Sequence, residues 1–256
     1  MLADTVPTRV VSLDYCADQF VLKMLPRTRI LAVSPDAGKH FSYMRASAGG
    51  IRTVRPVAED VLTIEPDLIV RSYGGGTYAA MFFERAGIPV LQIPFANDMA
   101  GIRDAINLIA AGLGVPDRGA EIVADMDRRL SDIARPTRQR SALYMTPTGV
   151  TSGPGTLVHE MLLAAGLTNF EEQRGWRSIP LERLVFEQPD IVAAAFFGAS
   201  TNHPAMWSPM RHPVAKRQMS DRPTVMLHGA WTSCGGWYLL DAIEALASTD
   251  SVMPLR

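Results

Sequence analysis

Residues 180–192 read PLERLVFEQPDIV, and residues 57–70 read VAEDVLTIEPDLIV. The two phrases align without a gap: Glu59 falls on Glu182, Pro66 on Pro189 and Asp67 on Asp190, with apolar residues matched on either side. The copies are separated by close to half of the 256-residue chain. A repeat of that length exceeds any solenoid unit and suits two similar domains.

Composition narrows the classes. With 47% hydrophobic and 20% charged residues the chain is ordinary for a globular protein. Its 25 Lys+Arg against 26 Asp+Glu argue against nucleic acid or an anionic membrane as the main partner. No apolar run approaches the roughly 20 residues that span a bilayer. The N-terminus MLADTVPTRVVSL lacks a basic stretch followed by an apolar one, which by itself points to the cytosol, although a mature exported protein reads the same way. Two cysteines, Cys16 and Cys234, are too few for a disulfide framework and fit no zinc spacing.

Short β-branched runs alternate with amphipathic segments, the pattern of parallel β-α units. Strands are expected at 9–13, 30–34, 68–72 and 89–93 in the first half, and at 141–145, 190–196 and 224–228 in the second. Helices are expected over CADQFVLKML, TYAAMFFERAG, TLVHEMLLAAGL, LERLVFEQ and WYLLDAIEALA. Between the halves, Pro116 and Asp117 start a helix whose stripe of Ile122, Met126, Leu130 and Ile133 is apolar, and Pro136 stops it. The expected organisation is an α/β lobe over 1–115, a single long linker helix over 116–136 and a second α/β lobe over 137–256. Residues 35–56 and 198–222, rich in Gly, Pro and Ser, are expected to be irregular.

Two Rossmann-like lobes, one linking helix and a repeated Glu-x6-Pro-Asp before a strand resemble the class III periplasmic substrate-binding proteins of ABC importers. That cluster carries cobalamin, ferric siderophores and haem. SLDYCADQ after the first strand, ERAGIPVLQI in the first lobe and VTSGPGTLVHEMLLAAGL opening the second resemble it too. The resemblance implies a periplasmic, monomeric carrier that is not an enzyme, with a ligand cleft between the lobes and an ABC permease dimer as partner. It carries the permease-docking role onto Glu59 and Glu182; because the linker is a single stiff helix, only a small closure on binding is expected. A Glu in the first turn of a helix is also favoured by the helix dipole, by about 0.3–1 kcal/mol.

In parallel α/β lobes ligands meet the loops at the carboxyl ends of strands. That rule nominates Asp14, Tyr15 and Cys16 after the first strand, Arg71, Ser72 and Tyr73 after the third, and Arg45 in the 35–56 loop. In the second lobe it nominates 146–152, Phe196, Phe197 and 228–234, including His228 and Trp231. Trp176 matches the position of a cleft tryptophan in the cobalamin carriers, and Arg177 follows it. Tyr73 and Trp176 are expected as flat contacts to a bulky ligand. Lys39, His40, Arg45, Arg52, Arg55, Arg71, Arg174 and Arg177 favour an anionic ferric siderophore, with cobalamin or another corrinoid, or haem held by Tyr15, Tyr73 or His228, as alternatives. No metal site and no resident cofactor are expected, since the five histidines are scattered. Cys16 and Cys234 stand either as unrelated buried thiols or as cleft thiols able to bridge and lock the groove.

A more distant alternative is a cysteine-dependent α/β hydrolase, suggested by VMLHGAW with Cys234 and His228 or His212. The chain has no G-x-S-x-G nucleophile elbow. The glycines at 74–76 read as a flexible turn rather than a nucleotide loop.

Overall fold

The computed structural model describes residues 6–134, 138–195 and 208–251. They form two compact units. The first takes the chain to Ala96 and adds Ala100–Asp125 and Ser233–Gly236; the second holds Asn97–Met99, Met126–Thr232 and the residues from Trp237.

In the first unit, β1 (Val10–Ser12), β2 (Ile30–Ala32), β3 (Leu68–Arg71) and β4 (Val90–Gln92) pair in parallel in the order β2-β1-β3-β4. Helices α1 (Tyr15–Met24), α2 (Ala58–Thr63), α3 (Ala79–Arg85) and most of α4 (Met99–Gly112) belong to this unit. The central strand β3 is buried at every position, as expected for a strand covered on both faces. Residues 35–56 form a chain of turns with one isolated bridge, Val33 to Thr53.

The second unit repeats the plan. Strands β5 (Ser141–Met145), β7 (Thr168–Asn169), β9 (Ile191–Ala194) and β10 (Thr224–Met226) are parallel in the order β10-β9-β5-β7. Read from the other edge, the order is that of the first sheet. Helices α6 (Leu157–Ala164), α7 (Arg183–Phe186), α8 (Pro213–Asp221), α9 (Gly229–Thr232) and α10 (Leu239–Ala247) complete it. The connector α5 (Pro116–Asp132) has its first residues in one unit and the rest in the other. In the second unit Arg129 on α5 grips α10 through Asp241 and Glu244, at 2.7 Å each.

The repeated phrase has a physical reason. Its aspartates clip the start of each central strand: Asp67 accepts from the backbone N–H of Thr8 at 2.7 Å and of Arg9 at 2.9 Å, and Asp190 accepts from Ser141 N–H at 2.8 Å. Two of its matched apolar positions are core in both copies. Val61 and Ile69 lie in the first hydrophobic cluster with Val11, Leu13 and Phe83, and their counterparts Leu184 and Val192 lie in the second with Leu143, Met145 and Phe170. Each such side chain contributes about 1.5–3 kcal/mol by burial.

Three expectations are corrected. Residues 213–221, taken as irregular, form α8, started by Pro213 at its first turn with His212 as N-cap. The ribbon of β6 (Val150–Ser152) and β8 (Trp176–Ser178), antiparallel, was not expected, because three-residue strands with exposed residues carry little periodic signal. The helix over LERLVFEQ shrinks to the single turn of α7. Pro136, Phe196 and Phe197 lie outside the described residues.

Candidate functional site

At the carboxyl end of β1, Asp14 is buried and works for two elements. One oxygen caps α1, accepting from Ala17 N–H at 2.9 Å. The other accepts from the successive N–H groups of Ser72, Tyr73 and Gly74 at 2.7, 3.0 and 2.8 Å. Such charge-assisted bonds are roughly twice as strong as neutral ones. Arg71, 7% exposed, closes the same loop from its other end. Its Nε donates to Gly74 O at 2.8 Å, Nη2 to Gly76 O at 2.9 Å, and Nη1 to Gln92 Oε1 at 3.0 Å. The loop is therefore pinned, against the expectation of a flexible triple-glycine turn. A Cβ at Gly74 would stand 2.4 Å from the Leu13 carbonyl oxygen, so only glycine allows this approach.

The pinned loop displays Tyr73, which is 52% exposed. Its ring meets Tyr15 edge-on at 5.9 Å, and Tyr15 meets Phe41 edge-on at 5.0 Å, with His40 next at 5.2 Å from Phe41. Burial above all, then Tyr15 and Asp14 beside it, hold the Tyr73 phenol well above its usual range. Burial likewise raises Tyr15, partly offset by Tyr73 beside it. Both are neutral hydroxyls at physiological pH.

Below this cluster α1 anchors the 35–56 loop. Asp18, fully buried, accepts from the Ser12 hydroxyl and from Ser34 through its N–H at 3.0 Å and Oγ at 2.6 Å. Burial pushes its carboxyl up to about 6, and the serine hydrogen bonds hold it back from rising further. Gln19 accepts from Met44 N–H at 2.7 Å and donates to Ser42 Oγ at 3.0 Å. Arg45 is exposed and leans on the Ser42 carbonyl at 3.3 Å. Phe41 is the aromatic that sequence reasoning missed; its only signal was the run His-Phe-Ser-Tyr inside a polar loop.

In the second unit Trp176 is 58% exposed and lies edge-on to buried Tyr144 at 6.0 Å. It sits on β8 opposite Ser152 rather than in a loop. Arg177, exposed, stands opposite Thr151 on β6, and strand alternation directs it to the other face from Trp176. Gly153 closes this ribbon, since a Cβ there would fall 1.9 Å from Gln173 O. His228 is exposed after β10, with its ring 4.5 Å from that of half-buried Trp231.

Cys16 and Cys234 form a disulfide, with their Cα atoms 5.7 Å apart. This overturns the reading of two unrelated thiols. It also removes the nucleophile of the cysteine-hydrolase alternative, because a bonded sulfur is no thiolate.

Glu59 is exposed in the first turn of α2, and Glu182 is exposed as the N-cap residue of α7. Neither carboxylate accepts a hydrogen bond among the described residues.

The sequence profile of the periplasmic binding protein family matches residues 23–200. A periplasmic heme binding protein from Pseudomonas aeruginosa superposes with a TM-score of 0.76 at 21% identity, over 98% of this chain and 95% of that one. The vitamin B12 binding protein BtuF of Vibrio cholerae gives 0.68 at 18%, over 95% and 96%. An ABC-type Fe3+-hydroxamate transport system protein from Saccharomonospora viridis gives 0.66 at 19%, over 98% and 95%. No curated protein matches the chain. The chain belongs to the periplasmic binding protein family. Within that family its two α/β units have the fold of the class III group, as the repeated phrase implied. None of its described helices is long and apolar enough to cross a membrane.

Proposed function

We propose that this chain is the periplasmic substrate-binding component of an ABC importer, capturing one bulky, anionic ferric siderophore and delivering it to a permease. The observation that carries the reading is the pinned loop 72–76, which holds an exposed Tyr73 edge-on to Tyr15, itself packed on Phe41. A rigid aromatic surface loses little entropy when a bulky chelate packs on it. Exposed Arg45 supplies charge for carboxylate, catecholate or hydroxamate donors, whereas Arg177 faces away from Trp176 across its strand. Arg71 acts by holding the loop; its three guanidinium nitrogens are engaged by protein groups. In the second unit, exposed Trp176 and the His228–Trp231 pair offer aromatic surface of their own. The carrier works as a monomer, catalyses nothing and keeps no resident cofactor. Its lobes are 1–115 and 137–256, joined through 116–136. The disulfide fits an oxidising compartment.

Haem is the second reading, favoured by the paired phenols and by His228, either of which can ligate a ferric iron. Exposed Trp176 suits a corrinoid in the same way. Titrating tryptophan fluorescence with ferric siderophores, cobalamin, cobinamide and haemin separates the three. Saturable quenching by ferric siderophores, weakened at least about tenfold in Tyr73→Ala or Trp176→Ala, is the expected result. Saturation by haemin or a corrinoid alone replaces the siderophore reading.

A further inference from the structure

The second unit leaves one buried phenol without a partner. Along β5 the side chains alternate between faces. Leu143 and Met145 enter the hydrophobic cluster with Val192, Ala194 and Phe170. Tyr144 therefore projects from the opposite face, where its neighbour across the ladder is the small residue Ala193. Strand β7 pairs only with Ser141 and Ala142, so beyond Ala142 the described ladder of β5 continues on its β9 side alone. The β6–β8 ribbon packs against β5 and sets the Trp176 ring edge-on to that of Tyr144, at 6.0 Å and 70°.

Tyr144 is 2% exposed. Its hydroxyl makes no hydrogen bond with any described residue, yet it is not sealed from solvent. Burial alone acts on the phenol and holds it well above its usual range, so it is a neutral donor at physiological pH. The hydroxyls of the ribbon and its turns are already spent. Thr146 Oγ1 donates to the Val150 carbonyl at 3.2 Å, Ser152 Oγ lies 2.6 Å from Thr156 Oγ1, and Thr156 donates on to the Gly153 carbonyl at 2.9 Å. Thr151 Oγ1 is unpartnered too, but strand alternation puts it on the other side of the ribbon from Ser152 and Trp176, closed off from solvent. Folded proteins bond nearly all such buried groups, so a phenol left free beside an exposed indole calls for a partner from outside the chain.

We infer that the Tyr144 hydroxyl is a specificity-determining contact of the carrier: it donates a hydrogen bond to an acceptor oxygen on the edge of a chelate packed against Trp176. The inference rests on the carrier reading and sharpens its ligand, which turns a carboxylate, amide carbonyl or hydroxamate oxygen towards the second unit. A neutral phenol donates to such an oxygen and leaves the iron's own ligands in place. The donor is ready in advance. Its ring is already buried against the sheet and the indole, so little side-chain freedom is lost when the bond forms. A site built to bond an oxygen also discriminates, because a ligand without one leaves the hydroxyl unpaired in a dry contact.

The test is Tyr144→Phe, which keeps the ring and removes only the hydroxyl. In denaturant unfolding without ligand the variant should be as stable as the parent or more so, since no internal bond is lost. A lower stability shows that the hydroxyl is bonded within the fold and overturns the inference. In the fluorescence titration with ferric trihydroxamates, ferric citrate, cobalamin and haemin, the chelate that binds the parent most tightly should bind the variant about tenfold more weakly or worse. Equal affinity overturns the inference and marks the hydroxyl as the seat of a bound water. A phenolate-to-iron charge-transfer band present in the parent complex and absent from the variant complex overturns it as well, because Tyr144 then coordinates the metal. A parent chain that binds nothing in the panel defeats the carrier reading, and the unfolding comparison still decides whether the hydroxyl is free.

Discussion

The two units share a scaffold and differ at their rims. Both start their central strand with an aspartate clip from the same phrase, both bury the same two apolar positions of that phrase, and both use the same strand order. At the rim the first unit binds its loop with a buried carboxylate and a buried guanidinium, so that one exposed tyrosine is held in a fixed place. The second builds a small antiparallel ribbon and leaves Trp176 on it, supported by a ring contact rather than a polar network. The duplicated residues are those that close a β-α-β unit, and the residues suited to recognition are those that diverged.

The largest effect is expected at the first rim. Asp14→Ala removes acceptors from four backbone N–H groups, one capping α1 and three in the loop, and leaves buried donors unpaired. The expected cost is about 3 kcal/mol or more. Denaturant unfolding should show it, with faster amide exchange confined to 72–74 and the start of α1. Unchanged exchange at 72–74 would mean that Arg71 alone holds the loop.

The strand clips should cost less and should cost alike. Asp67→Ala and Asp190→Ala each remove a carboxylate from strand-start N–H and hydroxyl groups that remain partly exposed, for about 1–2 kcal/mol each. Unfolding free energies for the two that differ by more than about 1 kcal/mol would break the equivalence of the units.

The smallest of the three effects is a pH slope. Asp18 has a folded value of about 6 against an ordinary 3.8, so it holds its proton more tightly in the folded chain. The stability from that proton is complete below the ordinary value and is lost as pH rises through about 6. Between pH 7 and pH 5 the parent should therefore gain about 1 kcal/mol from this group. Asp18→Asn, which keeps the shape and stays neutral, should remove that part of the slope. An identical slope in the variant would place the titrating group elsewhere.

The fold was legible because its signals are local. A β-branched run of four or five residues, a proline at a helix start and a stripe at helical spacing act within a few residues, and each expected strand of the two parallel sheets is present within one or two residues of its ends. The role of Arg71 was illegible for the opposite reason. A cation next to a strand end reads as a rim charge, and only the fold of the loop brings the Gly74 and Gly76 carbonyls and Gln92 around it. Asp14 and Tyr73 were nominated by the strand-end rule, yet the 58 to 60 residues of chain between Asp14 and its loop partners hid their bond.

The sequence by itself determined that the chain is two similar α/β units and which family they belong to, because periodicity and a repeated phrase are properties of order along the chain. Only the tertiary structure decided that Cys16 and Cys234, 218 residues apart, are bonded to each other. It alone turned Arg183 inward and left Phe186 exposed. Spacing along a chain does not encode which distant groups share a low-dielectric site, and burial, pairing and side-chain direction all follow from that.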